Sequence, residues 1–229
     1  MKKYIHKNIK SQELVIIRLG TYYRYLVINK LNLHLSGNNV LDIGCFDGYL
    51  LSHINAGRKI GIDIDILKKY PDIQYIKEDF IIYNFEYDKF DKIFAFDVLE
   101  HVKDDKIFIE KIIELLSIEG TAILSTPCEN IKIFPSALQG WVDKRWGHIY
   151  RRGYTPQKMK DLLVGAQNNV TIDVIYWNCP LFRLLYLFLS MMWRISPLLT
   201  KNVLSYLVEI ESKHKDGENG FLYILIKRR

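Results

Sequence analysis

The run Val40-Leu41-Asp42-Ile43-Gly44-Cys45-Phe46-Asp47-Gly48 reads as a buried strand that breaks into a glycine turn and then a helix. A strand ending in Asp-x-Gly presents backbone N–H groups, and the amino end of the next helix, to a ligand. Gly44 and Gly48 are expected where a Cβ would hold that ligand away from the main chain. Gly61-Ile62-Asp63 closes a second apolar run, with Asp63 twenty-one residues after Asp42. A carboxylate at that spacing can accept hydrogen bonds from two ribose hydroxyls. Phe46 stands between the glycines, so the turn departs from G-x-G-x-x-G and suits a nucleoside better than a pyrophosphate. Hydride transfer with a dinucleotide is disfavoured on that ground.

Two histidines are placed to move a proton near neutral pH. His101 follows the fourth apolar run, at the carboxyl edge where α/β folds bind ligands. His148 lies between the fifth strand and the next helix. Each also has a structural reading, His101 as the start of the following helix and His148 as a packing residue in its loop.

These residues need a frame that brings strand ends together. Val40–Gly44, Lys59–Asp63, Ile73–Lys77, Asp91–Asp97 and Thr121–Ser125 read as strands. Asp47–Ile54, Ile66–Tyr70 and Asp104–Ser117 read as the helices between them. Such alternation specifies a doubly wound, Rossmann-like α/β fold, a mostly parallel seven-stranded sheet with helices on both faces. Residues 11–35 form a leading helical segment, with Leu14, Ile17, Tyr22, Tyr25 and Leu26 at helical spacing. A helix near Thr155–Val164, a strand near Val170–Trp177 and a last strand at Phe221–Lys227 complete the pattern. The expected organisation is a single domain over 1–229. It comprises an N-terminal segment (1–37), a cofactor-binding core (38–178), an apolar helical insertion (179–215) and a final strand (220–229).

Over roughly residues 38–165 the chain resembles the class I S-adenosylmethionine-dependent methyltransferases, in the broad group that includes quinone and small-molecule O-methyltransferases. The resemblance rests on the D-x-G-C-x-x-G turn, Gly61–Asp63, the pair Glu78-Asp79, Phe90-Asp91, and Asp97-Val98-Leu99-Glu100-His101-Val102. It also rests on Ile118-Glu119-Gly120 and the run from Gly147 to Pro156. Phe46 replaces the usual middle glycine, which narrows the space above the methionine part of the cofactor. The resemblance implies S-adenosyl-L-methionine as cofactor. Asp42, Gly44, Cys45, Phe46 and Gly48 would line its methionine moiety, and Asp63 would hold the ribose with Ile64 beside the adenine. Asp79 would accept from the adenine amino group, Phe80 would cover the ring, and Asp97 and Val98 would lie under the sulfonium. Asp97, Glu100 and His101 are similar to a divalent-metal site of some quinone O-methyltransferases. Read from the residues, Glu100 more simply begins a helix, and no metal is expected.

Methyl transfer from a sulfonium requires alignment of the acceptor, exclusion of water and often removal of one proton. The acceptor is expected to be an oxygen of a small-molecule, glycan or lipid-linked compound. The alternative is a non-catalytic module that keeps the fold and binds a nucleoside or a protein. With a net charge of +6 but Lys and Arg scattered along the chain, no nucleic-acid partner is expected. Cys45, Cys128 and Cys179 are odd in number and far apart, which fits a reducing cytoplasm. No uninterrupted apolar run follows the basic residues of 1–7, so no export signal is read.

From Pro180 to Val208 the chain is dense in Leu, Phe, Met, Tyr and Trp. Arg183, Tyr186, Ser190 and Arg194 draw one narrow polar stripe, and Ser196-Pro197 is expected to break the helix. A helix so broadly apolar must be covered. The sheet or a homodimer partner, a membrane surface at the inner face, and a lid over a soluble substrate are the three readings.

Overall fold

A computed structural model describes residues 17–67, 70–86, 88–132, 134–146, 153–164, 170–213 and 220–229. Strands β1 (Gly37–Ile43), β2 (Ala56–Asp63), β3 (Gln74–Lys77), β4 (Phe90–Phe96), β5 (Leu116–Pro127), β6 (Val170–Asn178) and β7 (Gly220–Arg228) build one sheet. Its order is β3-β2-β1-β4-β5-β7-β6, with β7 antiparallel to both neighbours and the other pairings parallel. The chain winds outward from β1 to β3 and then returns to lay β4 on the other side of β1. Connections therefore leave the carboxyl ends of β1 and β4 in opposite directions, which opens the crevice where such sheets bind ligands.

β1 and β4 bury Val40, Leu41, Ile43, Ile93, Phe94 and Ala95 between two helical layers, which is why they read as continuous apolar runs. One layer holds α1 (Leu19–Lys30), the single turn α2 (Tyr49–Ser52), α6 (Pro180–Ile195) and α7 (Pro197–Glu211). The other holds α3 (Asp105–Leu115) and α5 (Pro156–Val164), and α4 (Gln139–Trp146) follows β5. α3 starts where the Asp104 side chain accepts from the Ile107 N–H at 3.2 Å, an N-cap. It buries Phe108, Ile109, Ile112 and Leu115 at helical spacing.

The seven strands occur in the expected order, but one expected helix is absent and several boundaries differ. The helix expected at Asp47–Ile54 is one turn, because the His53 and Ile54 amides bond to Leu50 and Leu51 at 3.1 and 3.2 Å. These i to i−3 closures tighten and end the helix, and β2 has begun by Ala56, paired with Gly37. No helix starts at Ile66: the Leu67 amide bonds to the Phe46 carbonyl at 3.0 Å, which pins the loop over the glycine turn. Ile118-Glu119-Gly120 lies inside β5 as a bulge rather than before it. Leu116 pairs with Phe90 but Thr121 pairs with Lys92, and Glu119 takes up the extra length at φ 62°. A Cβ on Gly120 would meet the Ser117 and Phe90 carbonyls at 2.8 and 2.9 Å.

The insertion forms two helices that break at Ser196-Pro197 as expected. α1 packs on both, and three polar contacts fasten the group. Trp177 Nε1 donates to Tyr23 Oη at 2.9 Å, Tyr23 Oη donates to Glu211 Oε2 at 2.5 Å, and the Phe182 N–H donates to Glu211 Oε1 at 2.8 Å. Glu211 is buried, so its carboxylate is matched by donors on α1 and α6 rather than left alone.

Candidate active site

The turn after β1 is held by its own backbone. Gly44 N–H donates to the Ile62 carbonyl at 2.8 Å, and Gly48 N–H to the Cys45 carbonyl at 2.8 Å. Both glycines lie in the left-handed region, at φ 75° and 74°, where a Cβ is strained. Neighbouring side chains crowd both positions. A Cβ on Gly44 would strike Val98 Cγ2, and one on Gly48 would strike the Tyr75 hydroxyl. The glycines are thus also required by the packing of Val98, just after β4, and of Tyr75 on β3 against the turn.

Phe46 sits at φ 46°, and its N–H donates to Asp63 Oδ2 at 2.9 Å. The Asp65 N–H takes Asp63 Oδ1 at 2.9 Å. The carboxylate at the end of β2 is therefore aimed by two amides, each oxygen keeping acceptor capacity.

A cleft of about 1170 Å³ opens at the carboxyl ends of β1, β2 and β4. Asp42, Gly44, Cys45, Phe46, Asp63, Ile64, Asp79, Phe80, Asp97, Val98 and His101 all line it. Gly48 does not; it stands behind the turn against Tyr75. His148 lies outside the described residues. Ile64 is open on the cleft wall at 72% exposure, whereas Phe80 is buried and meets Phe108 edge-on at 5.2 Å. Asp79 Oδ1 accepts from the Ile81 N–H at 2.8 Å, which fixes the loop after β3.

Charge is divided within this cleft. Asp42 is buried, and burial first, then the neighbouring Asp63 and Asp47, push its carboxyl up to about 8 against the opposing pull of Arg24. Burial also pushes the Cys45 thiol up, with Asp42 and Asp63 adding to it, so the thiol stays protonated. Facing these acids are Arg24 of α1 and Arg18, the extended residue just before that helix. Arg24 pairs with Asp97 and is held below its ordinary value chiefly by burial, which Tyr223, Glu100 and Asp42 partly offset. Arg18 stands over the Phe46 ring at 3.8 Å, a cation–π contact.

Neither arginine is among the site residues read from the sequence, nor are the cleft-lining Phe182 and Phe221. A cation interrupting the apolar spacing of a short helix, as Arg24 does between Tyr23 and Tyr25, was the available signal.

Asp97 and His101 line the same wall but do not converge with Glu100 on one point. Asp97, at φ 52°, accepts from Ser125 Oγ at 2.8 Å and from Arg24. Glu100 is buried and takes the Thr126 hydroxyl at 3.1 Å, while His101 Nε2 is 3.9 Å from Glu100 Oε1. Among the described residues no group of three His, Cys, Asp or Glu side chains could hold a metal ion. What the site does offer is a carboxylate for a diol, a buried acid, a part-buried guanidinium and an imidazole around one turn.

Residues 20–170 match the family described as "Methyltransferase domain". The chain is 30% identical over 155 residues to the ubiquinone biosynthesis O-methyltransferase of Bradyrhizobium diazoefficiens, covering 60% of this chain and 60% of that protein. It is 30% identical over 146 residues to the mitochondrial counterpart of Dictyostelium discoideum, covering 54% of this chain and 46% of that protein. The match thus spans no more than about three fifths of these relatives' length. Among solved structures, Haemonchus contortus phosphoethanolamine N-methyltransferase 2 with S-adenosyl-L-methionine superposes with a TM-score of 0.61 at 15% identity, over 92% of this chain and 53% of that one. The N-methyltransferase NodS of Bradyrhizobium japonicum WM9 with S-adenosyl-l-homocysteine gives 0.55 at 14% identity, over 90% and 87%. At such identities these two share the fold. With that sheet order, the glycine turn and the acid ending β2 in place, the chain belongs to the methyltransferase-domain family, among the class I S-adenosylmethionine-dependent methyltransferases.

Proposed function

We propose that the protein binds S-adenosylmethionine and directs methyl transfer to an oxygen of a small-molecule, glycan or lipid-linked acceptor. The observation that carries this reading is the arrangement of acids and base around the glycine turn, with Asp63 and buried Asp42 on one side and part-buried Arg24 on the other. A nucleoside with a zwitterionic amino-acid end and a cationic sulfur meets a partner for each of its groups there. Asp63, aimed by the Phe46 and Asp65 amides, accepts from the ribose hydroxyls. Asp42 lies nearest in chemistry to the ammonium, and Arg24 to the carboxylate. Ile64, Asp79 and Phe80 stand along the wall assigned to adenine.

When bound, S-adenosylmethionine supplies an electrophilic methyl group on its sulfonium. The chain's part is to align an acceptor oxygen with that methyl and to receive the hydroxyl proton. Carbon–oxygen bond formation then accompanies carbon–sulfur cleavage, the electron pair staying on sulfur, so no co-reactant is needed. His101 lines the cleft and is one residue able to take the proton; His148 is the other. Oxygen is favoured over nitrogen by the likeness to the ubiquinone biosynthesis O-methyltransferases.

Calorimetry with S-adenosylmethionine, S-adenosylhomocysteine and NAD in parallel tests the cofactor. The first two should bind and NAD should not. Asp63→Ala should weaken binding by about 1.5–3 kcal/mol, as for a hydrogen bond to a charged group. Measurable NAD affinity, or an unaffected Asp63 variant, would overturn the assignment. Labelled methyl transfer to hydroxyl acceptors against primary amines then tests the acceptor atom.

A further inference from the structure

α6 is apolar on nearly every side, yet it can turn only one side to the sheet. Phe182, Leu189 and Trp193 are the buried residues, and Trp193 Nε1 donates to the Ile17 carbonyl at 2.7 Å. That anchorage sets the rotation of the helix. Leu184, Phe188, Met191 and Ile195, spaced by four, three and four, are consequently turned away from the core. They are 49, 54, 56 and 77% exposed. The stripe continues around the break at Ser196-Pro197 into Leu198 and Leu199 at the start of α7, 69 and 54% exposed. Scattered apolar residues on a surface need no account, but a continuous stripe of this length on one helix face does.

Charge says what covers it. Residues 180–208 contain Arg183, Arg194 and Lys201 and no Asp or Glu, within a chain of net charge +6. Arg194 is exposed beside Ile195. Arg183 donates to the Lys132 carbonyl and Lys201 lies over the Tyr22 ring, so Arg194 is the cation beside the stripe. A second copy docked through the same face would offer it no acid from α6 at a self-complementary interface. An anionic lipid surface satisfies both features, taking apolar side chains at the acyl boundary while the basic heads stay with the headgroups. No described helix is long and apolar enough to cross a membrane, so the contact is one of lying on the surface.

We propose that the outer face of α6, with the turn into α7, docks on anionic lipid. Phe182 and Tyr186, on the other side of the same helix, line the cleft. Docking therefore leaves one helix, with its lipid face outside and its cleft face inside, between a lipid-linked acceptor and the site. That last consequence rests on the methyltransferase reading; the docking itself does not.

The full chain should float with vesicles of phosphatidylcholine containing phosphatidylglycerol, and at least about tenfold less with phosphatidylcholine alone. Changing Phe188, Met191 and Ile195 together to Ser should cut flotation about tenfold or more, with S-adenosylhomocysteine affinity and thermal midpoint unchanged. Arg194→Glu should weaken it while leaving the apolar stripe intact. The proposal is overturned if the wild type stays with the soluble fraction, or if the triple variant floats as well as wild type. It is equally overturned if the triple variant unfolds, which would make the stripe core. A wild-type dimer that the triple variant splits in sedimentation velocity would assign the face to a second copy. Failure of flotation with intact S-adenosylhomocysteine binding removes the docking and leaves the proposed reaction standing.

Discussion

Arg24 of the first helix and Asp97 at the end of β4, 73 residues apart in the chain, form an ion pair inside the cleft. Ser125 Oγ holds the other Asp97 oxygen at 2.8 Å. Asp97 is thus aimed by a residue of β5 and a residue of α1 at once. The pair ties the helix covering the cleft to the strand end assigned to the reacting sulfur. It also supplies a part-buried cation lining the cleft near the glycine turn, which a ligand carboxylate can share.

Arg24→Gln should therefore lower affinity for S-adenosylhomocysteine by about 1.5–3 kcal/mol, roughly 10- to 150-fold. Arg24→Lys should recover part of it, since the charge returns without the two-pronged geometry. Calorimetry beside thermal unfolding separates two roles. A lowered midpoint with unchanged affinity would make Arg24 a support for Asp97 and nothing more.

The Asp42 carboxyl, pushed up to about 8, carries a proton at pH 7 in the free protein. Between about 4, its ordinary range, and about 8 the folded chain holds this proton more tightly than the unfolded chain does. The contribution of Asp42 to stability is therefore greatest at low pH and declines as pH rises through that window. Asp42→Asn should flatten this part of the stability curve. A cation bound next to Asp42 reverses the shift, so cofactor binding at pH 7 should release a proton. Calorimetry in buffers of different ionisation enthalpy measures it; no release would take Asp42 out of contact with the ligand's positive end.

His148→Ala should lower turnover by about 10²–10⁴-fold with cofactor affinity nearly unchanged, the range for loss of a general base. His101→Ala should cost less, because His101 stands beside buried Glu100 and its backbone also closes the turn after β4. A larger loss at His101 would transfer the base role to it. Full activity in both variants would leave the proton to solvent or to another group.

Much of the site was legible from residues alone because it is built from short-range constraints. Asp42, Gly44 and Phe46 belong to one strand and its turn, and β2 pairing with β1 brings Asp63 alongside, with Asp42 opposite Gly61. Strand periodicity and the spacing of a βαβ unit are enough to predict that neighbourhood. Helix lengths were less legible, since Asp47–Ile54 and Ile66–Tyr70 have helical composition but lose their amides to tighter closures and to Phe46. The packing demand on the glycines was also hidden, because Val98 and Tyr75 reach Gly44 and Gly48 from 54 and 27 residues further along.

The residue pattern by itself determined the doubly wound sheet, the turn after β1 and the break at Pro197, each set by interactions within a few residues or by strand alternation. It could not place Arg24, whose partner comes from β4 and whose burial depends on α1 docking under α6 and α7. Nor could it choose the face of α6. The polar stripe of Arg183, Tyr186, Ser190 and Arg194 is narrow, and the remaining sides are equally apolar, so the pattern has no single minimum. Packing made the choice: Phe182 stacks on Tyr23 at 3.8 Å and Trp193 reaches the Ile17 carbonyl. Once those long-range contacts set the rotation, Leu184, Phe188, Met191 and Ile195 were left outside.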